Sequence, residues 1–242
     1  MGILNGIDYG LWDPAKDPML PAKYDAQHLE KKKINKQAML KEYGLPERGD
    51  VPVFGLVTRL ADQKGFDILG EALPKLLDGT SQWIILGTGD PQYHTLLTDL
   101  NNDHPELLGI ALRFDAKLAQ HIYAGSDFFV MPSRYEPCGL GQLIGFKYGT
   151  IPVVRKTGGL ADTVVDIAEA PLQGSGFVFE EYSAQVLEET IRKAIAFYSS
   201  PEARTTVAQR IMNLDYSWRV SAHHYLDLYS RSLLKHPATA AL

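Results

Sequence analysis

One cysteine, Cys138, stands in 242 residues. That excludes any disulfide framework within the chain and fits a reducing compartment. No apolar run approaches the length of a membrane span, and the opening residues lack the basic-then-apolar pattern of a secretory signal. Neither sign of charge dominates: 24 basic residues stand against 29 acidic ones, for a formal net charge of −5. The densest basic run, "EKKKINK" from Glu30 to Lys36, reads as a solvated helix face rather than a nucleic-acid stripe. There is no internal repeat and no low-complexity tract. These absences predict a soluble protein of the cell interior that partners neither nucleic acid nor membrane.

What is present is a large core, with 45% hydrophobic and 22% charged residues. "VPVFGLVTR" (Val51–Arg59) is a nearly continuous apolar run, as expected of a strand buried on both faces. "WIILG" (Trp83–Gly87), "IALRF" (Ile110–Phe114), "FFVMP" (Phe128–Pro132), "IPVV" (Ile151–Val154) and "GFVFE" (Gly176–Glu180) repeat the signal. Helix-forming segments lie between most of them: Phe66–Leu77, Gln92–Asn102 and Lys117–Ala124. A Lys-, Gln- and Leu-rich helix is expected over Tyr24–Tyr43, stopped by Gly44. Ala184–Tyr198 is amphipathic, and the chain from Pro201 is helical before an Ala/Pro/Thr tail. Strands alternating with helices predict an α/β fold, a Rossmann-like doubly wound parallel sheet. Residues 1–24, with six glycines and prolines and no periodicity, read as a connector ahead of a domain over 25–242. A domain seldom opens on its linker, so the chain is expected to be part of something longer, with Met1 and Gly2 added at the cut.

In such sheets ligands sit beyond the carboxyl ends of the strands. The loop "TRLADQKGF" carries Arg59 and Lys64 just before Gly65, two cations near a helix start that suit a phosphate, although alone they read as ordinary surface cations. "SRYEPCGLGQL" (Ser133–Leu143) is less ordinary. Gly139 is expected to open a helix with Leu140, Leu143 and Ile144 on its inner stripe, and Glu136 to stand at the mouth of the turn. Glu136 as a capping carboxylate and Cys138 as a small buried filler is the equally weighted alternative. "RKTGGLADTV" supplies a third glycine turn at Thr157, Gly158 and Gly159. Three glycine-bearing turns with Arg59 and Lys64 alongside describe a diphosphate cradle.

The stretches "ILNGID", "TRLADQKGFDIL", "SRYEPCGLGQLIGFKYGTIPVVRKTGGLADTV" and "YSW" resemble bacterial glycogen synthases and plant starch synthases, from Ile3 to about Tyr229. These are retaining glucosyltransferases of the two-domain GT-B architecture, moving glucose from a nucleoside diphosphate glucose to the non-reducing end of an α-1,4-glucan. The resemblance implies that this chain is the C-terminal, donor-binding half. Residues 1–24 would be the interdomain hinge, and the glucan acceptor would be met through the other half. That half's "K-x-G-G-L" loop and catalytic-site Asp and His have no counterpart here, and "KTGGL" at Lys156–Leu160 is only a look-alike.

The resemblance also implies roles. Arg59 and Lys64 would hold the diphosphate and stabilise the leaving nucleotide, with no metal and no cofactor beyond the donor, ADP-glucose or UDP-glucose. Glu136 would orient the glucose and stabilise an oxocarbenium-like transition state. Cys138, Gly139 and Leu140 would line the sugar and phosphate, Asn5 would touch the glucose, and Thr157 and Gly158 would approach the phosphate. Phe114 stands where the family usually has a base-stacking tyrosine, and Gly141 where it has a threonine, which implies weaker nucleotide binding. Ile144 falls where many other retaining GT-B transferases carry a second glutamate, which favours the glycogen and starch synthase branch. The implied location is the cytoplasm for a bacterial chain and the plastid stroma for a plant one. A non-catalytic nucleotide- or glucan-binding module, and a scaffold whose glycines serve only its turns, are the competing readings.

Overall fold

The computed structural model describes residues 2–235; Met1 and the Ala/Pro/Thr tail lie outside that range. Six strands form one parallel sheet: β1 (Val53–Val57), β2 (Gln82–Leu86), β3 (Leu108–Ala111), β4 (Phe128–Met131), β5 (Ile151–Arg155) and β6 (Phe177–Phe179). Their spatial order is β3-β2-β1-β4-β5-β6, the doubly wound arrangement, so the direction of winding reverses between β1 and β4. Helices α1 (Lys32–Glu42), α2 (Phe66–Leu76), α3 (Pro91–Asp103), α4 (Ala116–Gly125), α5 (Gly141–Lys147), α6 (Gly158–Thr163), α7 (Ala184–Tyr198), α8 (Pro201–Met212) and α9 (Trp218–Lys235) accompany it. Among the described residues no helix is long and apolar enough to cross a membrane.

The continuous apolar runs are explained by burial on both faces. Phe54 of β1 stacks on Trp83 of β2 at 4.7 Å and on Phe128 of β4 at 5.0 Å, so one aromatic ladder crosses the reversal point. Each such ring contributes about 1.5–3 kcal/mol of burial.

Some boundaries move from those expected. The strand expected over Ile110–Phe114 lies at Leu108–Ala111, because Asp115 turns the chain there, its carboxylate accepting from the Leu118 amide at 3.1 Å to cap α4. The helix expected from Tyr24 begins only with a short 3₁₀ turn at Leu29 and continues as α1 from Lys32. Asp25 accepts from the amides of Gln27 and His28, both at 3.0 Å, and that side-chain turn competes with helix. Its C-terminus is as expected: Gly44 is left-handed and the Leu45 amide reaches the Leu40 carbonyl at 2.9 Å.

Residues 2–24 hold no regular element but are packed down. The Ile7 amide donates to Tyr216 O at 2.8 Å and the Ser221 hydroxyl to Leu4 O at 2.8 Å. The buried Asp17 carboxylate accepts from Tyr148 at 2.6 Å, and His121 Nε2 donates to Met19 O at 2.8 Å.

"EKKKINK" is not a uniformly solvated face. Lys32 and Lys36, one helical turn apart, point inward. The Lys32 ammonium is bonded to Tyr123 O, Ala124 O and Tyr148 O and to the Thr150 hydroxyl at 2.8–3.1 Å, so it caps the C-terminal ends of α4 and α5 together. Burial pulls its pKa down to about 7; Asp127 opposes that shift and Lys36 adds to it.

The unfolded chain therefore binds more protons at Lys32 than the native one between pH 7 and 10, so this group makes stability rise with pH across that window. Urea unfolding of the protein and of Lys32→Met at pH 6, 7.5 and 9 checks the sign. The stability difference, wild type minus variant, is expected to grow above pH 7, by at most about 1.4 kcal/mol per pH unit. A flat or falling difference contradicts it.

Candidate functional site

The crevice at the reversal point is built from the loops that leave β1 and β4. Gly65, which starts α2, has φ +81°, and a Cβ there would lie 2.1 Å from Pro132 O. Only glycine lets the first loop press on the second. That contact carries Lys64 to Glu136: its ammonium donates to Oε2 at 2.6 Å, and the buried Ser133 hydroxyl donates to the same oxygen at 3.2 Å. Glu136 is 8% exposed. It caps no helix, which removes the capping alternative, since α5 has no side-chain cap. A carboxylate this sheltered needs its cation, because stripping one partner leaves an unpaired charge.

The third glycine turn serves the same wall from behind. A Cβ on Gly158 (φ +45°) would lie 2.1 Å from Glu136 O, and the Gly159 amide donates to that carbonyl at 3.0 Å. Gln142, fully buried on α5, donates to the carbonyls of Cys138 and Gly139 at 3.1 Å each.

α5 starts at Gly141 rather than Gly139, because Gly139 takes φ +72° and breaks the helix ahead of it. Leu140 is consequently exposed; Leu143, Ile144 and Phe146 make the inner stripe. At Gly141 a Cβ would meet the Phe129 ring at 2.8 Å and Met131 Sδ at 3.1 Å. A bare α-carbon there lets the helix start sit directly on β4.

These parts enclose a cleft of about 450 Å³ whose lining includes Lys64, Ser133, Glu136, Cys138, Gly139, Leu140 and Gly141. Other residues singled out from the sequence lie outside it. Arg59 is exposed at the rim, donating to Gln63 Oε1 at 3.0 Å, while Gln63 donates to Tyr135 O at 2.9 Å. The Asn5 amide donates to Cys138 Sγ at 3.3 Å, which sets the opening segment against the cleft loop. Thr157 is the extended residue before α6, and Phe114 projects into solvent between β3 and α4. Ser133 and Tyr123 also line the cleft, and Gln63 ties Arg59 to Tyr135 O outside it; Ser133 and Gln63 lie inside the quoted loops, while Tyr123 carries no sequence signal beyond its helix.

A second network braces the β4 loop. Arg134 and Arg155 flank the Tyr182 ring at 4.6 and 5.2 Å, and Arg155 donates to Arg134 O at 2.8 Å. Burial pushes the Asp67 carboxyl up, but hydrogen bonds from Tyr182 and Arg134 outweigh it and leave the pKa below its ordinary value.

In a doubly wound domain of this order the ligand crevice lies beyond the carboxyl ends of the strands at the switch point, here between β1 and β4. Residues 40–210 match the family model of glycosyl transferases group 1, and the chain belongs to that family. It is 50% identical over 232 residues to the glycogen synthase of Kosmotoga olearia, covering 96% of this chain and 49% of that protein. With the glycogen synthase of Moorella thermoacetica the identity is 47%, covering 98% and 49%. Among solved structures, the catalytic domain of starch synthase IV from Arabidopsis thaliana, bound to ADP and acarbose, matches with a TM-score of 0.90 at 37% identity, covering 96% of this chain and 49% of that one. The C-terminal domain of a group 1 family glycosyl transferase from Francisella tularensis shares the fold, with a TM-score of 0.61 at 17% identity over 91% of this chain and 98% of its own length. The chain spans about half the length of the curated relatives it matches.

Gly65→Ala is expected to destabilise the protein by about 2–4 kcal/mol, combining a strained φ with a backbone clash. Chemical denaturation checks it; a loss under about 1 kcal/mol would mean that the two loops do not depend on this contact.

Proposed function

We propose that this chain is the C-terminal, donor-binding half of a glycogen or starch synthase and that the crevice between β1 and β4 receives ADP-glucose or UDP-glucose. The observation that carries the reading is the Lys64–Glu136 contact at the switch point, in a chain half identical to glycogen synthases. The ADP bound to the starch synthase IV relative favours the adenine nucleotide. The Francisella match supports the C-terminal placement.

In this reading the diphosphate lies against Lys64, with Arg59 closing from the rim, and charge-assisted bonds contribute about 1.5–3 kcal/mol each. As the bond from glucose to phosphate breaks, negative charge grows on the departing diphosphate, and the two cations stabilise it where it forms. Glu136 faces the sugar, orienting its hydroxyls and countering positive charge at the reacting carbon. Cys138, Gly139 and Leu140 cover the sugar, with Asn5 against Cys138. Gly141 leaves the phosphate side without a hydroxyl, and Thr157 and Gly158 support the wall. Phe114 reaches the base only if its loop turns inward. The α-glucan acceptor would approach from the half that this chain does not contain, so the isolated chain binds nucleotide and turns over little. The bacterial relatives favour a cytoplasmic location.

Calorimetric titration with ADP, ADP-glucose, UDP and UDP-glucose tests the reading. Saturable binding of the adenine series is expected, with a loss of at least about tenfold in an Arg59→Ala, Lys64→Ala double variant. Equal binding by the variant overturns the assignment. A sharper expectation follows from the ion pair. In the free chain Glu136 occupies the charge of Lys64, so Glu136→Gln is expected to bind ADP several-fold more tightly, although it removes the proposed sugar contact. Weaker ADP binding by that variant would show that the carboxylate does not compete for the lysine.

A further inference from the structure

A second cleft, about 440 Å³ and thus as large as the first, opens at the other end of the sheet. Phe128 and Ile151 at the starts of β4 and β5 and Leu40 of α1, all nearly fully buried, close its inner end. Its walls are charged. Five basic residues line it, Lys32, Lys33, Lys36, Arg48 and Arg204, of which Lys32 is only partly charged at neutral pH, against three carboxylates, Glu30, Glu47 and Asp127. In a chain of net charge −5 this is a local reversal of sign.

The cations differ in what they still have to offer. Lys32 is spent on the helix ends, and Lys36 on Asp127 at 2.7 Å, Tyr198 Oη at 3.1 Å and Val51 O at 3.2 Å. Lys36 supplies field rather than free donors, and Lys32, with its pKa pulled to about 7, carries only part of a charge at neutral pH. Arg204 is different. Its guanidinium lies 3.8 Å from the centre of the Tyr198 ring, its Nε is buried without a partner, and among the described residues it makes no ion pair. Tyr198 thus fixes two cations at once, one on its face and one at its hydroxyl. Lys33, exposed on α1, has no carboxylate within ion-pair distance among the described residues. A planar fork held in place, with donors unused and further positive charge around it, suits the oxygens of a phosphate group.

We infer that this cleft is a second binding site, for a small phosphate monoester, with the phosphoryl group on Arg204 and Lys33 and its carbon body within the cleft toward its inner end. It is separate from the crevice that carries Lys64 and Glu136, and no residue lines both. The site therefore stands or falls independently of the donor assignment.

Titration calorimetry at matched chloride, with inorganic phosphate and with glycerol 3-phosphate as probes, tests it on wild type, Lys64→Ala, Arg204→Gln and Lys33→Glu. Saturable binding is expected in wild type and unchanged in Lys64→Ala, tighter for the monoester than for inorganic phosphate. Arg204→Gln should weaken it roughly tenfold or more. Lys33→Glu changes an exposed side chain, so it reads the site even if the arginine variant folds poorly; a several-fold loss is expected. Binding that is lost in Lys64→Ala but kept in Arg204→Gln and Lys33→Glu overturns the inference, since the probe would then occupy the other crevice. So does equal affinity for the two probes, or no saturation by either up to about 10 mM.

Discussion

Two loops that belong to different halves of the sheet have to touch backbone to backbone, and a missing side chain is what permits it. Without Gly65 against Pro132, the first loop would stand off from the second and Lys64 would not reach Glu136. A sheltered carboxylate would then lack its cation, and the cleft would lose both its shape and its electrostatic balance. The glycines at 158 and 159 repeat the device from behind, bracing the carbonyls of Glu136 and Cys138. Conformational freedom is used here to bring main chains together, and the charged site follows from that closeness.

Much of this architecture was readable from the residues. Six apolar runs marked six strands, since strands covered on both faces have no reason to alternate. Their order was not readable, because pairing between distant segments leaves no periodic trace. The errors were local and polar. Asp25 and Asp115 each turned the chain with a side-chain hydrogen bond, and so moved the start of α1 and the position of β3. At the site, the residue types at 64 and 136 pointed to charge chemistry. That the two would neutralise each other, with Ser133 as third partner, depends on a loop-to-loop approach that spacing does not encode. Glycines 158 and 159 read as room for a ligand, whereas the space beside them is filled by protein. Lysines 32 and 36 read as surface because composition does not say which way a helix is rolled.

The two ends of the sheet contrast instructively. At the carboxyl ends of the strands, a cation and a carboxylate close on each other and leave Arg59 at the rim. At the opposite ends, Tyr198 holds Lys36 and Arg204 apart, and the arginine keeps its donors free. Similar volumes thus carry different electrostatics: one cleft is balanced internally, and the other has a surplus.

The packing of residues 4–9 against residues 214–221 has a consequence for the order of assembly. Tyr9 meets Leu214 across 205 positions, and Leu4 meets Ser221 across 217. Contacts this remote in sequence form slowly, after the local βαβ units have closed. During synthesis the segment that emerges early must wait, unpartnered, until nearly the whole domain has followed it. Asn5, which touches the cleft loop through Cys138, belongs to that waiting segment. The crevice between β1 and β4 can take its general form as the sheet assembles, but its wall at Cys138 is completed by residues that precede the sheet in the chain and dock last.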